Sequence, residues 1–377
     1  MRKQNKRLTY LVGVAVFVII AVSFVKVGEV RHRAWLMSAT QTALEQYVPE
    51  HPADLEARVR LGLMEVADKD PRGEERLKRA ADAAPGDESV WFAYVDAIDN
   101  PDVALSQIET YLRVLPNSVK LRAAKARRLA ELGDPRTGLA MADEIIKVSG
   151  KDSDAFRARA DALMLLRRVN EASDSLKLAM KLDDRDSYRL LLAMTLVPQQ
   201  RYAEVREACF PIVHRQNRGA ATGHVTRAKL YLAGATLNLA APMKELANVK
   251  GDLEAIVLNN TCLEDAERFL PYYFLGECFL QLGEPQSAIE PLRQAVNLAP
   301  QFPAALYSLA RAMQASKENS VSSKLYRRHA NLTGLLNDLD NAGIRLQERP
   351  DDVRLNQQLA DIQKRLENLL REPLPLE

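Results

Sequence analysis

Between Phe269 and Phe302 the apolar and small residues fall in two stripes of helical period, separated by a short polar turn. Tyr272, Leu275, Gly276 and Phe279 make the first stripe, Ala288, Leu292 and Ala295 the second, and Pro300 closes the segment. Small residues at Gly276 and Ala288 predict that the two helices approach closely, with the larger residues filling the ridges between them. Neither helix can bury its stripe alone, so the pair must stack on neighbours and extend into an array.

A shift of 34 residues repeats the pattern, through Leu306, Leu309, Ala310, Met313, Ser322 and Tyr326, with His329 and Gly334 where Ala and Pro stood before. The same interval links Ala126 to Ala160, Gly138 to Ala172 and Ala142 to Leu176, which predicts two further units over 119–150 and 153–182. Shortened or interrupted versions occupy 55–85, 88–116 and 187–215. From 218 to 265 the period loosens into a divergent helical pair, 225–239 and 241–258, with an atypical break after it.

The spacing of Tyr272, Leu275, Gly276, Phe279, Ala288, Leu292, Ala295 and Pro300 resembles the tetratricopeptide repeat. The resemblance implies an all-α, right-handed solenoid of helix-turn-helix repeats whose concave groove takes a protein partner. It divides the chain into N-terminal repeats over 55–215, the divergent pair over 218–265 and two well-matched units over 269–334. Composition agrees, because the 47% hydrophobic content rests on Ala and Leu with only 6% aromatic, and no window alternates Val, Ile and Thr as a sheet would require.

The N-terminus carries a different pattern. Leu8 to Val25 holds 18 residues without a charge, after a basic flank over 1–7 with Arg2, Lys3, Lys6 and Arg7. That length predicts a transmembrane helix over 8–25 that anchors the chain in a lipid bilayer, the alternative being a cleavable signal ending near Ala21-Val22-Ser23. Basic residues weigh slightly toward a cytoplasmic N-terminus, which makes the chain a single-pass protein of a bacterial inner membrane with its repeats in the periplasm. Trp35, Leu36, Ala39, Ala43, Leu44 and Tyr47 predict one helix over 34–48 that packs under the first repeat, and Asp54 is placed to cap the helix that follows.

At the other end, Leu335, Leu339, Ala342 and Leu346, then Leu355, Leu359, Ile362, Leu366 and Leu369, space their apolar residues by fours and threes. Helices over 335–371 are expected to cap the open end of the array, or alternatively to pair two copies of the chain as a homodimer. Pro373 and Pro375 predict a disordered tail over 372–377.

Chemistry adds little to this picture. There is no GxGxxG, HExxH, GxSxG or CxxC sequence, so neither an enzyme nor a cofactor is expected, and the intervals between Cys209, His214 and His224 match no zinc pattern. A net charge of +2, with Glu131, Asp134, Asp152, Asp154 and Asp161 interspersed among the arginines, argues against nucleic acid. The resemblance implies that partner contacts come from the groove side of each first helix, which selects Lys120, Arg127, Arg157, Tyr273, Glu277, Tyr307 and Arg311. Ala123 and Ala124 stand where a Lys/Asn carboxylate clamp would need its two side chains, so chaperone-tail recognition is not expected. These features predict a membrane-anchored protein-interaction scaffold serving an envelope, export or polysaccharide machine. A cytoplasm-facing adaptor and a polysaccharide-binding accessory module are the alternatives.

Overall fold

A computed structural model describes residues 30–214, 222–239, 242–259, 261–263, 265–349 and 352–374. The segment predicted to cross the membrane, 8–25, lies outside them, and among the described residues no helix is long and apolar enough to do so. All regular structure in the described residues is helical. The chain divides into two compact units, one built on residues up to Arg189 with Pro211–Val225, the other on Leu190–Phe210 with Thr226–Glu377.

In the first unit, helix α1 covers 30–38 and α2 Gln41–Glu50. The single helix expected over 34–48 is therefore broken at Ala39-Thr40. Thr40 is extended, and its hydroxyl accepts the Ala43 amide at 3.3 Å, so a local N-cap outcompetes helix continuation. Pro49 sits inside the last turn of α2 rather than ending it. Leu36, Leu44 and Val48 then pack in one cluster with Ala57, Leu61 and Met64.

Four antiparallel pairs follow: α3 (Leu55–Ala67) with α4 (Arg72–Ala83), α5 (Glu88–Ala97) with α6 (Pro101–Val114), α7 (Val119–Glu131) with α8 (Pro135–Ser149), and α9 (Ser153–Leu165) with α10 (Val169–Leu182). Polar residues cap six of the eight starts. Asp54, Asp87, Asn100, Ser118, Asp134 and Asp152 each accept an amide of the first turn, and Pro101 and Pro135 occupy positions where no amide partner is needed. Such caps each stabilise by about 1 kcal/mol.

Each first helix packs on its partner and also on the next first helix, α3 on α5, α5 on α7, α7 on α9. The second helices have no comparable mutual contact among the described residues, so this unit curves with its first helices inside. The expected close approaches are present. A Cβ at Gly62 would meet Leu77, and one at Gly138 would lie 2.5 Å from the Ala126 carbonyl oxygen.

Helices α11 (Asp186–Leu196) and α12 (Tyr202–His214) come next, with Pro211 accommodated inside α12. The second unit contains α13 (Thr222–Asn238), whose first residues belong with the first unit, and α14 (Met243–Leu258), the divergent pair. A 3₁₀ turn, Asp265–Glu267, precedes α15 (Leu270–Gln281), α16 (Pro285–Leu298), α17 (Pro303–Ala315), α18 (Asn319–Glu348) and α19 (Val353–Arg371). The atypical break is pinned to α13, since the buried Glu267 carboxylate accepts from the Tyr231 hydroxyl at 2.7 Å and from Arg227 Nε at 3.1 Å.

Two C-terminal boundaries differ from expectation. No helix break separates 269–334 from 335–371, because α18 runs through Gly334 for 30 residues, with no proline where Pro300 ended the preceding unit. The two apolar seams face one another: Leu335, Ala342 and Ile362 are buried in one cluster, and Leu339, Leu359, Leu366 and Leu369 are partly buried against it. Residues 372–374 are ordered as well. Arg328 donates to the Leu369, Glu372 and Pro373 carbonyls at 2.8 Å, satisfying the end of α19.

Candidate functional site

The selected residues fall into two groups, one in each unit. In the first, Arg127 (α7) and Arg157 (α9) come together around Asp96 on α5. One oxygen of Asp96 takes the Arg127 guanidinium and the other lies 3.5 Å from Arg157. Asp161 lies 3.6 Å from the Nε of each arginine, and Glu131 is 3.6 Å from Arg127 Nε. Arg128 adds a third cation, bonded to Glu131 at 2.7 Å and to the Val95, Asp96 and Ile98 carbonyls at the end of α5.

This is a balanced set of three cations and three carboxylates, closed at Arg127, which is 5% exposed, and more open at Asp96 and Glu131, whose side chains are 25% and 35% exposed. Burial alone would raise the Asp96 carboxyl, but the guanidiniums of Arg127 and Arg157 outweigh it and hold Asp96 well below the usual carboxylate range. Asp161 goes the other way. Burial pushes it up, and Glu131 and Asp96 offset part of what Arg157 and Arg127 give back. The Nε atoms of Arg127 and Arg157 are buried without a hydrogen-bond partner. Lys120 stands apart from this network, donating to the Ser89 hydroxyl at 3.0 Å.

In the second unit, Tyr273 and Glu277 on α15 lie beside Tyr307 and Arg311 on α17. Arg311 reaches the Glu277 carboxylate at 3.4 and 3.5 Å, a long and solvated contact, and 43% of its side chain remains exposed. Tyr307 is 44% exposed and meets Tyr326 edge-on at 5.6 Å, with the His329 ring at 5.4 Å. Tyr273 is more enclosed, edge-on to Phe302 at 5.2 Å, and burial, helped by Glu277, pushes its hydroxyl up to about 12. The four residues thus form one patch, with an accessible aromatic and an accessible cation at its centre.

Sequence reasoning missed Asp96, Asp161 and Glu131 in the first group and Tyr326 and His329 in the second. A signal existed for two of them, because Arg127 with Glu131 and Arg157 with Asp161 are spaced four apart as helical ion pairs. Asp96 carried none, since its partners lie on other helices. Among the described residues no cluster of His, Cys, Asp or Glu is arranged to hold a metal. The Cys278 thiol is pushed up to about 11 by burial.

The family profile described as tetratricopeptide repeat matches residues 271–302, the segment holding α15 and α16. No curated protein sequence matches the chain. Similar solved structures include YrrB, described as a TPR protein with an unusual peptide-binding site, at 14% identity and TM-score 0.42, covering 53% of this chain and 96% of that one. The APC/C hetero-tetramer Cut9–Hcn1 gives 13% identity and TM-score 0.44, covering 87% of this chain and 68% of that one. The human IFIT1 dimer with m7Gppp-AAAA gives 12% and 0.44, covering 89% and 93%. The family match supports the resemblance to the tetratricopeptide repeat over 271–302, which holds Tyr273 and Glu277, while Tyr307 and Arg311 lie on the helix that follows it.

Proposed function

We propose that this chain is a membrane-anchored protein-interaction scaffold that holds a protein partner against the first helices of its second unit. The observation that carries the reading is the exposed pair Tyr307 and Arg311 on the unit following the matched repeat. Aromatic and arginine side chains are the residue types that most often anchor an interface, and Arg311 is held so loosely by Glu277 that a partner carboxylate can replace it. Arg127 and Arg157 are better understood as structural, because their side chains are 6% and 22% exposed against 43% for Arg311 and each is shared between Asp96 and Asp161.

The 8–25 segment anchors the repeats in the inner membrane on the periplasmic side, where local concentration at the bilayer favours a role in assembling an envelope, export or polysaccharide machine. Affinity capture of the intact chain from crosslinked membranes tests this, beside a Tyr307→Ala/Arg311→Ala variant. Loss of one abundant partner with the helical signal intact is expected, and an unchanged partner set would overturn the site. A reporter fused after Glu377 tests the topology: activity only of one that folds outside the cytoplasm is expected.

A further inference from the structure

The first unit carries a second surface that the groove reading does not use. Arg113-Val114, Lys147-Val148 and Lys181-Leu182 recur 34 residues apart and fall in the last turn of α6, α8 and α10, the second helices of three successive pairs. Val114 is 62% exposed, Val148 79% and Leu182 43%, and Val103 of α6 and Leu178 of α10 are exposed as well. None of the three cations makes an ion pair among the described residues. Equivalent positions on stacked repeats lie along one edge, so this edge presents three apolar tips, each flanked by an unneutralised positive charge.

Apolar tips alternating with basic side chains match one chemistry: the interface of an anionic bilayer, where the cations meet lipid phosphates and the tips reach the acyl boundary. From this we infer that the edge formed by the ends of α6, α8 and α10 docks on an anionic lipid surface. Charge complementarity selects lipid over a second copy of the chain, since the same edge of another copy would bring like charges together. Of the acids nearest these helix ends, Asp184 is paired with Arg189, Asp183 and Asp154 share Arg185, and Asp152 follows Lys151 and accepts the Ala155 amide, so none of them is bound to Arg113, Lys147 or Lys181. The inference stands apart from the predicted anchor, because its test compares two edges of the same chain.

Tryptophan quenching by acyl-brominated lipid reads the contact directly. The full chain is placed with phosphatidylcholine vesicles, with or without phosphatidylglycerol, as Val148→Trp and as Leu132→Trp, the latter at the α7–α8 turn, on the opposite edge. After subtraction of the parent signal, quenching of Val148→Trp on anionic vesicles is expected, with none for Leu132→Trp. Added Arg113→Glu, Lys147→Glu and Lys181→Glu should shift docking by at least about a hundredfold, at about fivefold per charge. All three sites are solvent-facing, so folding should persist, and a Lys147→Gln/Lys181→Gln pair gives a milder check. Equal quenching at both edges, none at Val148→Trp, quenching indifferent to lipid charge, or a lipid-free blue shift rising with protein concentration would each overturn the inference, the last in favour of self-association.

Discussion

At the scale of single residues, the decisive feature is that two carboxylates in one network have opposite tendencies. Asp96 is depressed by Arg127 and Arg157, so its contribution is present above the ordinary carboxylate pKa and lost as pH falls through the lower folded value. Asp161 is raised, so its ionised form is disfavoured in the fold and its contribution improves as pH falls. Asp96→Asn should therefore destabilise by about 2 kcal/mol at neutral pH, whereas Asp161→Asn should be neutral or stabilising. Arg127→Ala should cost more, about 3 kcal/mol, because it leaves Asp96 and Asp161 without their nearest buried counter-charge. Urea unfolding of the three variants at pH 7 measures both signs, and repeating it below pH 4 reads the loss of the Asp96 contribution. The sequence showed where these arginines lie but not what they do, since charge along a helix looks the same whether it faces solvent or a carboxylate two helices away.

At the scale of the element, close approach and turn geometry set the fold. A Cβ at Gly276 would stand 2.3 Å from Leu292 Cγ, and Leu292 is fully buried, so Gly276→Ala should cost about 1–3 kcal/mol. Gly334 meets nothing within 4 Å inside α18, and Gly334→Ala should instead stabilise by about 0.5–1 kcal/mol. Thermal unfolding of the two variants distinguishes a packing glycine from an incidental one. The α3–α4, α7–α8, α9–α10, α11–α12, α15–α16 and α17–α18 turns each place one residue in the left-handed region, Lys69, Gly133, Arg167, Gln200, Gly283 and Lys317, whereas the α5–α6 turn places none there. Glycine made this legible at Gly133 and Gly283, while at Arg167 and Lys317 the side chain conceals the same backbone requirement. The helix pairs themselves were legible because their apolar period is strong. The break at Ala39-Thr40 and the continuity of α18 were not, since each depends on a local cap or on the absence of one.

At the scale of the whole molecule, the repeats supply two kinds of inner surface. The first unit's is closed by its own ion pairs, whereas the second unit's leaves Tyr307 and Arg311 open. The C-terminal hairpin ends the array, and deleting 353–377 would strip cover from Leu335 and Ala342 on α18. That truncation should lower the melting temperature and increase dye binding to exposed apolar surface, which differential scanning fluorimetry records. The most direct test of the central claim places a photoreactive phenylalanine analogue at Tyr307 in the intact, membrane-embedded chain. A crosslink to one protein species, abolished by Arg311→Glu and missing when the probe sits at Val148, is the predicted result. No crosslinked species at Tyr307, or the same species from both positions, would contradict it.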